Sequence, residues 1–240
     1  MIYIGTCGFS EPMDKYFKDF KTVEIQQTFY KILENKTLEK WKKRAPKDFI
    51  FNFKVFQGIT HPYTSITWKR SNINVSKLKN KVGFLKLSKE VIDFWKKMIE
   101  YSKILEAKVL LIQLPESFKE REENFENAEK FFRNIDRGEF EIAVELRGWS
   151  LDGIKKFCRN FNVIDVCDLY IREPVFIKNI LYSRLHGGYE NKRINYYYKY
   201  SSKDLENIKN KIKKIKAEEA FIYFNNVFML ENSKQFILLQ

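Results

Sequence analysis

The sequence predicts an α/β fold of the (β/α)₈ barrel class, folded as a single domain over residues 1–240. Three observations carry this. Eight short apolar runs are spaced along the chain, amphipathic helical patterns lie between them, and 240 residues are close to what eight such units need. The runs are Ile2–Ile4 (ended by Gly5), Thr22–Ile25, Phe49–Val55, Val109–Leu114, Glu141–Leu146, Val163–Val166, Leu181–Leu185 and Ala220–Phe224. Runs this apolar are expected of parallel strands covered on both faces. An open Rossmann-like sheet is the competing architecture, but no GxGxxG motif follows the first run.

The helices follow from 3.6-residue spacing. Thr37 is positioned to cap a helix carrying Leu38, Trp41 and Ala45, and Ser88 to cap one carrying Val91, Trp95, Met98 and Leu105. Phe125, Ala128, Phe131, Phe132 and Ile135 form one apolar stripe, and Ile154, Phe157 and Phe161 another. Leu205, Ile208, Ile212 and Ile215 line a Lys-rich helix opened by Ser201 and Asp204, in the pattern of a capping box. These stripes read as core. A weakly patterned stretch, about 58–87, reads as a long loop near the barrel mouth.

Composition restricts the function classes. The net charge of +13 favours anionic partners: nucleic acid, phosphorylated metabolites or an acidic membrane surface. The Lys residues are spread along the whole chain, which favours general composition over a dedicated basic arm. Cys7, Cys158 and Cys167 make neither a paired disulfide framework nor a zinc motif, so a reducing, cytoplasmic setting is expected. The first residues lack the pattern of a secretion signal, and no apolar run is long enough to span a bilayer.

In a barrel, functional groups collect where strands end. The unusual polar residues fall there: Gly5-Thr6-Cys7-Gly8 after the first run, Glu24 with Thr28, Phe29 and Tyr30, Lys54 with His61 behind it, and Gln113. Glu145, Arg147, Asp168, Arg184, His186, Asn225 and Asn226 continue the series. Glu145 and Arg147 lie two apart, so on a strand they share a face, either converging on a ligand or pairing with each other. Arg184 and His186 have the same spacing and precede Gly187-Gly188, where a backbone can approach a ligand closely. Lys54, set among Phe51, Phe53, Val55 and Phe56, must snorkel, pair or act. Lys54, Arg147 and Arg184 are suited to bind a phosphate or carboxylate, and Glu24, Lys54, Glu145, Asp168 and His186 to catalyse. Glu24, Glu145, Asp168 and His186 also have the donor chemistry for a divalent metal ion, whereas two histidines cannot supply a histidine-rich zinc cluster.

Seven motifs in order give a resemblance: IGTCGFS at 4–10, TVEIQQTFYK at 22–31, FNFKVFQGITHP at 51–62, LLIQLPESF at 110–118, AVELRGWS at 143–150, YSRLHG at 182–187 and YFNN at 223–226. Together they resemble the YecE-like proteins, the domain of unknown function DUF72. The resemblance implies a TIM barrel, distantly like the sugar-isomerase and endonuclease IV barrels. It carries the family's motif positions onto Gly5, Glu24, Thr28, Tyr30, Lys54, His61, Gln113, Glu145, Arg147, Arg184, His186, Tyr200, Asn225 and Asn226, with Asp168 at the usual acidic position. Of these, Gly5, Thr28, Tyr30, His61, Gln113, Arg147, Arg184, Tyr200, Asn225 and Asn226 are the expected substrate-binding set. The chain departs from the pattern in the shortened segment EPMDKYF, in a lone Gly148 and in Val227 after the paired Asn.

Three functions remain open on the sequence. The first is an enzyme acting on an anionic, phosphate-bearing substrate, with DNA or RNA foremost and a phosphodiester hydrolase as its form. The others are a sugar or sugar-phosphate isomerase or lyase, and a non-catalytic nucleic-acid binder.

Overall fold

The computed structural model describes residues 1–190 and 193–239. Eight parallel strands form one sheet: β1 (Ile2–Thr6), β2 (Thr22–Ile25), β3 (Ile50–Lys54), β4 (Val109–Leu114), β5 (Glu141–Leu146), β6 (Ile164–Cys167), β7 (Ile180–Leu185) and, after a small hairpin, β10 (Glu219–Phe224). Neighbours follow chain order from β2 to β7, then β10, then β1. A single parallel bridge between Cys7 and Glu24 joins β1 to β2 and brings the sheet round to a nearly closed barrel. The hairpin, β8 (Gly188–Glu190) and β9 (Arg193–Asn195), is antiparallel and stands beyond the end of β7.

Side chains alternate across each strand. Tyr3, Val109, Leu111, Ala143, Ile164, Val166, Tyr182, Phe221 and Tyr223 pack together in the barrel interior. Residues of opposite parity pack outward against the helices, where Phe51, Phe53, Leu110, Ile112 and Val144 share a core with Leu38, Trp95, Phe131 and Phe157. The interior has a polar seam low down: Tyr223 Oη is within hydrogen-bond distance of Thr22 Oγ1 at 2.6 Å and accepts from Asn52 Nδ2 at 2.8 Å.

The helices are α1 (Met13–Asp19), α2 (Gln27–Tyr30), α3 (Asn35–Arg44), α4 (Gln57–Thr60), α5 (Lys89–Leu105), α6 (Glu122–Asn134), α7 (Leu151–Phe161), α8 (Ser202–Lys214) and α9 (Met229–Leu238). Ser88 caps α5, and Ser201 with Asp204 makes the predicted capping box on α8. Thr37 does not cap α3: the helix begins at Asn35, and the Thr37 amide already bonds the Glu34 carbonyl. The stretch 58–87 is a packed connection more than a loop. It contains two 3₁₀ turns, returns onto α4 through amide bonds from Gly83 and Leu85, and buries Trp68, Leu78, Val82 and Leu85.

The expected eightfold alternation fails once, because no helix joins β6 to β7. Pro174 disfavours helical backbone at Glu173, and the connection is pinned by a bidentate ion pair instead. Arg172 donates to both carboxylate oxygens of the buried Asp165 at 2.7 Å, and the Val175 amide adds a bond at 2.8 Å. Among the described residues no helix is long and apolar enough to cross a membrane.

Barrel closure depends on Gly5. A Cβ there would lie 2.4 Å from the carbonyl oxygen of Thr22 on β2, a backbone atom that cannot step aside. Gly5→Ala is therefore expected to force β1 from β2 and to lower the melting temperature by roughly 3–10 °C, from about 1–3 kcal/mol of overpacking. A thermal melt unchanged within a degree would show that the closure is slack.

Candidate functional site at the barrel mouth

Inward-facing residues at the C-terminal strand ends converge on one guanidinium. Arg184 of β7 is 1% exposed. Its Nε donates to Glu24 Oε1 at 3.0 Å, and one terminal nitrogen donates to Glu145 Oε2 at 2.6 Å. Glu24 accepts further bonds from Tyr182 Oη at 2.7 Å, from Cys7 Sγ at 3.2 Å and from Gln26 Nε2. Glu145 accepts Arg147 Nε at 2.6 Å through its other oxygen. Burial by itself would raise the Glu145 carboxyl, but the charges of Arg147 and Arg184 outweigh it and hold the group well below the usual carboxylate range. Arg184, against the same burial, is held well above its ordinary value, chiefly by Glu24.

His186 continues the same face of the chain. Its backbone amide donates to Asp168 Oδ2 at 2.9 Å, and its Nδ1 lies 3.3 Å from that oxygen. With the Nδ1 hydrogen directed to Asp168, the Nε2 lone pair faces Arg147 and Arg184, each 3.5 Å away. Arg147 is a third exposed, so this end of the cluster opens to solvent. It opens into a cleft of about 590 Å³, whose walls include Glu145, Arg147, Asp168, His186, Tyr189 and Tyr196.

Lys54 and His61 form a second, deeper corner. Lys54 Nζ donates to Gln113 Oε1 at 2.7 Å and lies 3.5 Å from the centre of the Phe29 ring. Burial, then the charge of Arg184, pulls its ammonium down to about 7. His61 rests against Phe29 with its Nδ1 2.7 Å from Thr60 Oγ1, and burial followed by the Lys54 charge pulls it down to about 3.

The other expected residues support this assembly. Thr28 donates to the Lys54 carbonyl at 2.7 Å and fixes the end of β3. Tyr200 Oη accepts the Gly187 amide at 2.7 Å, at a glycine with φ of 109° whose added Cβ would strike the Asn195 carbonyl. Asn226 Nδ2 donates to Tyr198 O at 2.9 Å and to Asn232 Oδ1 at 3.0 Å, away from the Arg184 cluster. The ring of Tyr30 carries the Arg70 guanidinium at 3.6 Å, and Asn225 is half-buried with its amide bonded to the Leu185 carbonyl.

Glu24, Glu145, Asp168 and His186 do not assemble as a metal-ligand set. Arg184 occupies the space between the two glutamates, and no group of three or more His, Cys, Asp or Glu among the described residues is placed to hold a metal ion. Sequence reasoning missed Tyr182, Tyr189 and Tyr196. Tyr182 was within reach of it, since it lies two residues before Arg184 on the same strand face. The hairpin tyrosines carry no periodic signal.

Two outcomes follow from these charges. Arg184→Met leaves two buried carboxylates without a counter-charge and is expected to cost about 3–5 kcal/mol in urea unfolding. Adding Glu24→Gln and Glu145→Gln should restore part of that loss; no recovery would mean that arginine packing, not charge balance, is what matters. His61 stays neutral in the fold, while the unfolded chain takes up its proton near pH 6.5. Its contribution is therefore present above pH 6.5 and lost as pH falls toward 3, at about 1.4 kcal/mol per pH unit. Urea titrations between pH 7 and 4 should show this slope reduced by one proton in His61→Gln.

The comparisons with known proteins agree with this architecture. The chain has no significant match among curated proteins. Among solved structures, a DUF72 family protein of Enterococcus faecalis V583 superposes with a TM-score of 0.75 at 19% identity, covering 100% of this chain and 95% of the other. A DUF72 family protein of Thermotoga maritima MSB8 gives 0.72 at 24% identity, covering 100% and 98%. A xylose isomerase domain containing protein of Salmonella typhimurium LT2 shares the fold with a TM-score of 0.58 at 11% identity, covering 96% and 91%. The family model "Protein of unknown function DUF72" matches residues 3–237, and with the TIM barrel and its strand-end motifs in place, the chain belongs to that family.

Proposed function

We propose that this chain is an acid–base enzyme acting on a small, anionic, hydroxylated carbonyl compound of the sugar-phosphate class. The observation that carries the proposal is the His186–Asp168 pair, which presents Nε2 beside Arg147 at the edge of a cleft of about 590 Å³. Asp168 orients the imidazole, and Nε2, held only by the long 3.5 Å contacts of Arg147 and Arg184, exchanges a proton with a carbon or hydroxyl of the substrate. Arg147, whose Nε is spent on Glu145, offers its remaining N–H groups to a phosphate or carboxylate. The fold-level likeness to a protein with a xylose isomerase domain supports a sugar-sized substrate.

A metal-dependent nuclease has less support, because Glu24 and Glu145 are committed to arginines. The net charge of +13 favours nucleic-acid binding as a second reading.

The test is solvent exchange. Aldose and ketose phosphates incubated with the protein in D₂O should take up deuterium beside the carbonyl, seen by proton NMR. His186→Asn should slow that exchange by about 100-fold or more, the range of a positioned acid–base group. No exchange across the panel, or exchange indifferent to His186→Asn, would sink the proposal. Steeply salt-dependent binding of DNA in its place would favour the second reading.

A further inference from the structure

The acid–base scheme leaves Lys54 without a task. Its side chain lies on the inner face of β3, at the level of Glu24, Gln113, Glu145 and Arg184. Both of its close partners are neutral, the Gln113 carboxamide oxygen and the face of Phe29. No carboxylate among the described residues stands within ion-pair distance of Nζ, since Glu24 is taken by Arg184 and Glu145 by Arg184 and Arg147. The backbone beneath is fixed by Thr28. A lysine this dry, lacking a counter-charge and close to other cations, is the usual setting of an amine nucleophile.

We infer that Lys54 forms a Schiff base, through Nζ, with the aldehyde or ketone carbon of an open-chain phosphorylated substrate; the substrate class rests on the function proposed above. The Nζ lone pair attacks the carbonyl carbon and forms a C–N bond. The carbonyl oxygen leaves as water, carrying one proton lost from nitrogen and one drawn from solvent, so the imine nitrogen keeps its other proton and is cationic. The protonated imine then withdraws electrons from the adjacent carbon and makes its proton easier for a base to remove. The charges facing Lys54 act in the required direction: Arg184 and Arg147 oppose the ammonium, Glu145 and Glu24 oppose them only in part, and burial is the largest effect. His61 beside it feels the same corner and is driven toward its neutral form.

Reductive trapping tests the inference. The native chain is incubated at pH 7.5 with dihydroxyacetone phosphate or glyceraldehyde 3-phosphate and cyanoborohydride, then digested and mapped by mass spectrometry. The expected result is a reduced adduct on the Lys54 peptide, forming about 600-fold faster than on surface lysines at this pH, in proportion to its larger unprotonated fraction. Lys54→Met, which keeps the length of an apolar stem, should lose that adduct and keep the slow background. Adducts scattered over surface lysines with Lys54 unmodified would overturn the inference. Deuterium exchange without a Lys54 adduct would remove the Schiff base and keep the His186 reading; an adduct without exchange would do the reverse.

Discussion

A single guanidinium, that of Arg184, organises the mouth of this barrel. It lies fully inside, where an isolated charge would be strongly disfavoured, and it is tolerated because two carboxylates from different strands meet it. Glu24 comes from β2 and Glu145 from β5, so the ion pairs tie three strands around the ring. Tyr182, Cys7 and Gln26 donate further bonds to Glu24. The floor of the mouth is therefore charge-balanced and hydrogen-bonded before any ligand arrives.

Other groups of the mouth lie at the edge of this network or outside it. Glu145 reaches outward to Arg147, which reaches solvent, and His186 stands over both under the control of Asp168. Lys54 is excluded from the ion pairs and settles for an amide and an aromatic face. The same fact explains why the four donors that suggested a metal site in the sequence do not make one. A metal needs its acidic ligands free to converge on a point, and here an arginine already holds that point. Residues that share the family's motifs divide accordingly. Some face the mouth, and others, such as Gly5, Thr28, Tyr200 and Asn226, maintain the backbone that presents them.

Much of the architecture was legible because barrel strands write their burial into short apolar runs. All eight were found, with boundaries off by one or two residues at β1, β3, β6, β7 and β10. The helix expected between β6 and β7 was not there, because Asp165 and Arg172 stabilise an irregular path that no apolar periodicity records. The β8–β9 hairpin was likewise silent, since its exposed tyrosines resemble loop composition.

The sequence by itself determined which side chains point inward. That follows from the two-residue period of a strand, which puts Arg184 on the face of His186 and Glu145 on the face of Arg147. It could not determine which charges meet across the ring. Arg184 and Glu24 are 160 positions apart, and Arg184 and Glu145 are 39 apart. Their pairing depends on the curvature and register of the closed sheet, a property of all eight strands together. Only the tertiary structure decided that two of the expected acids neutralise an arginine, that Lys54 stays outside those ion pairs and that His186 meets Asp168.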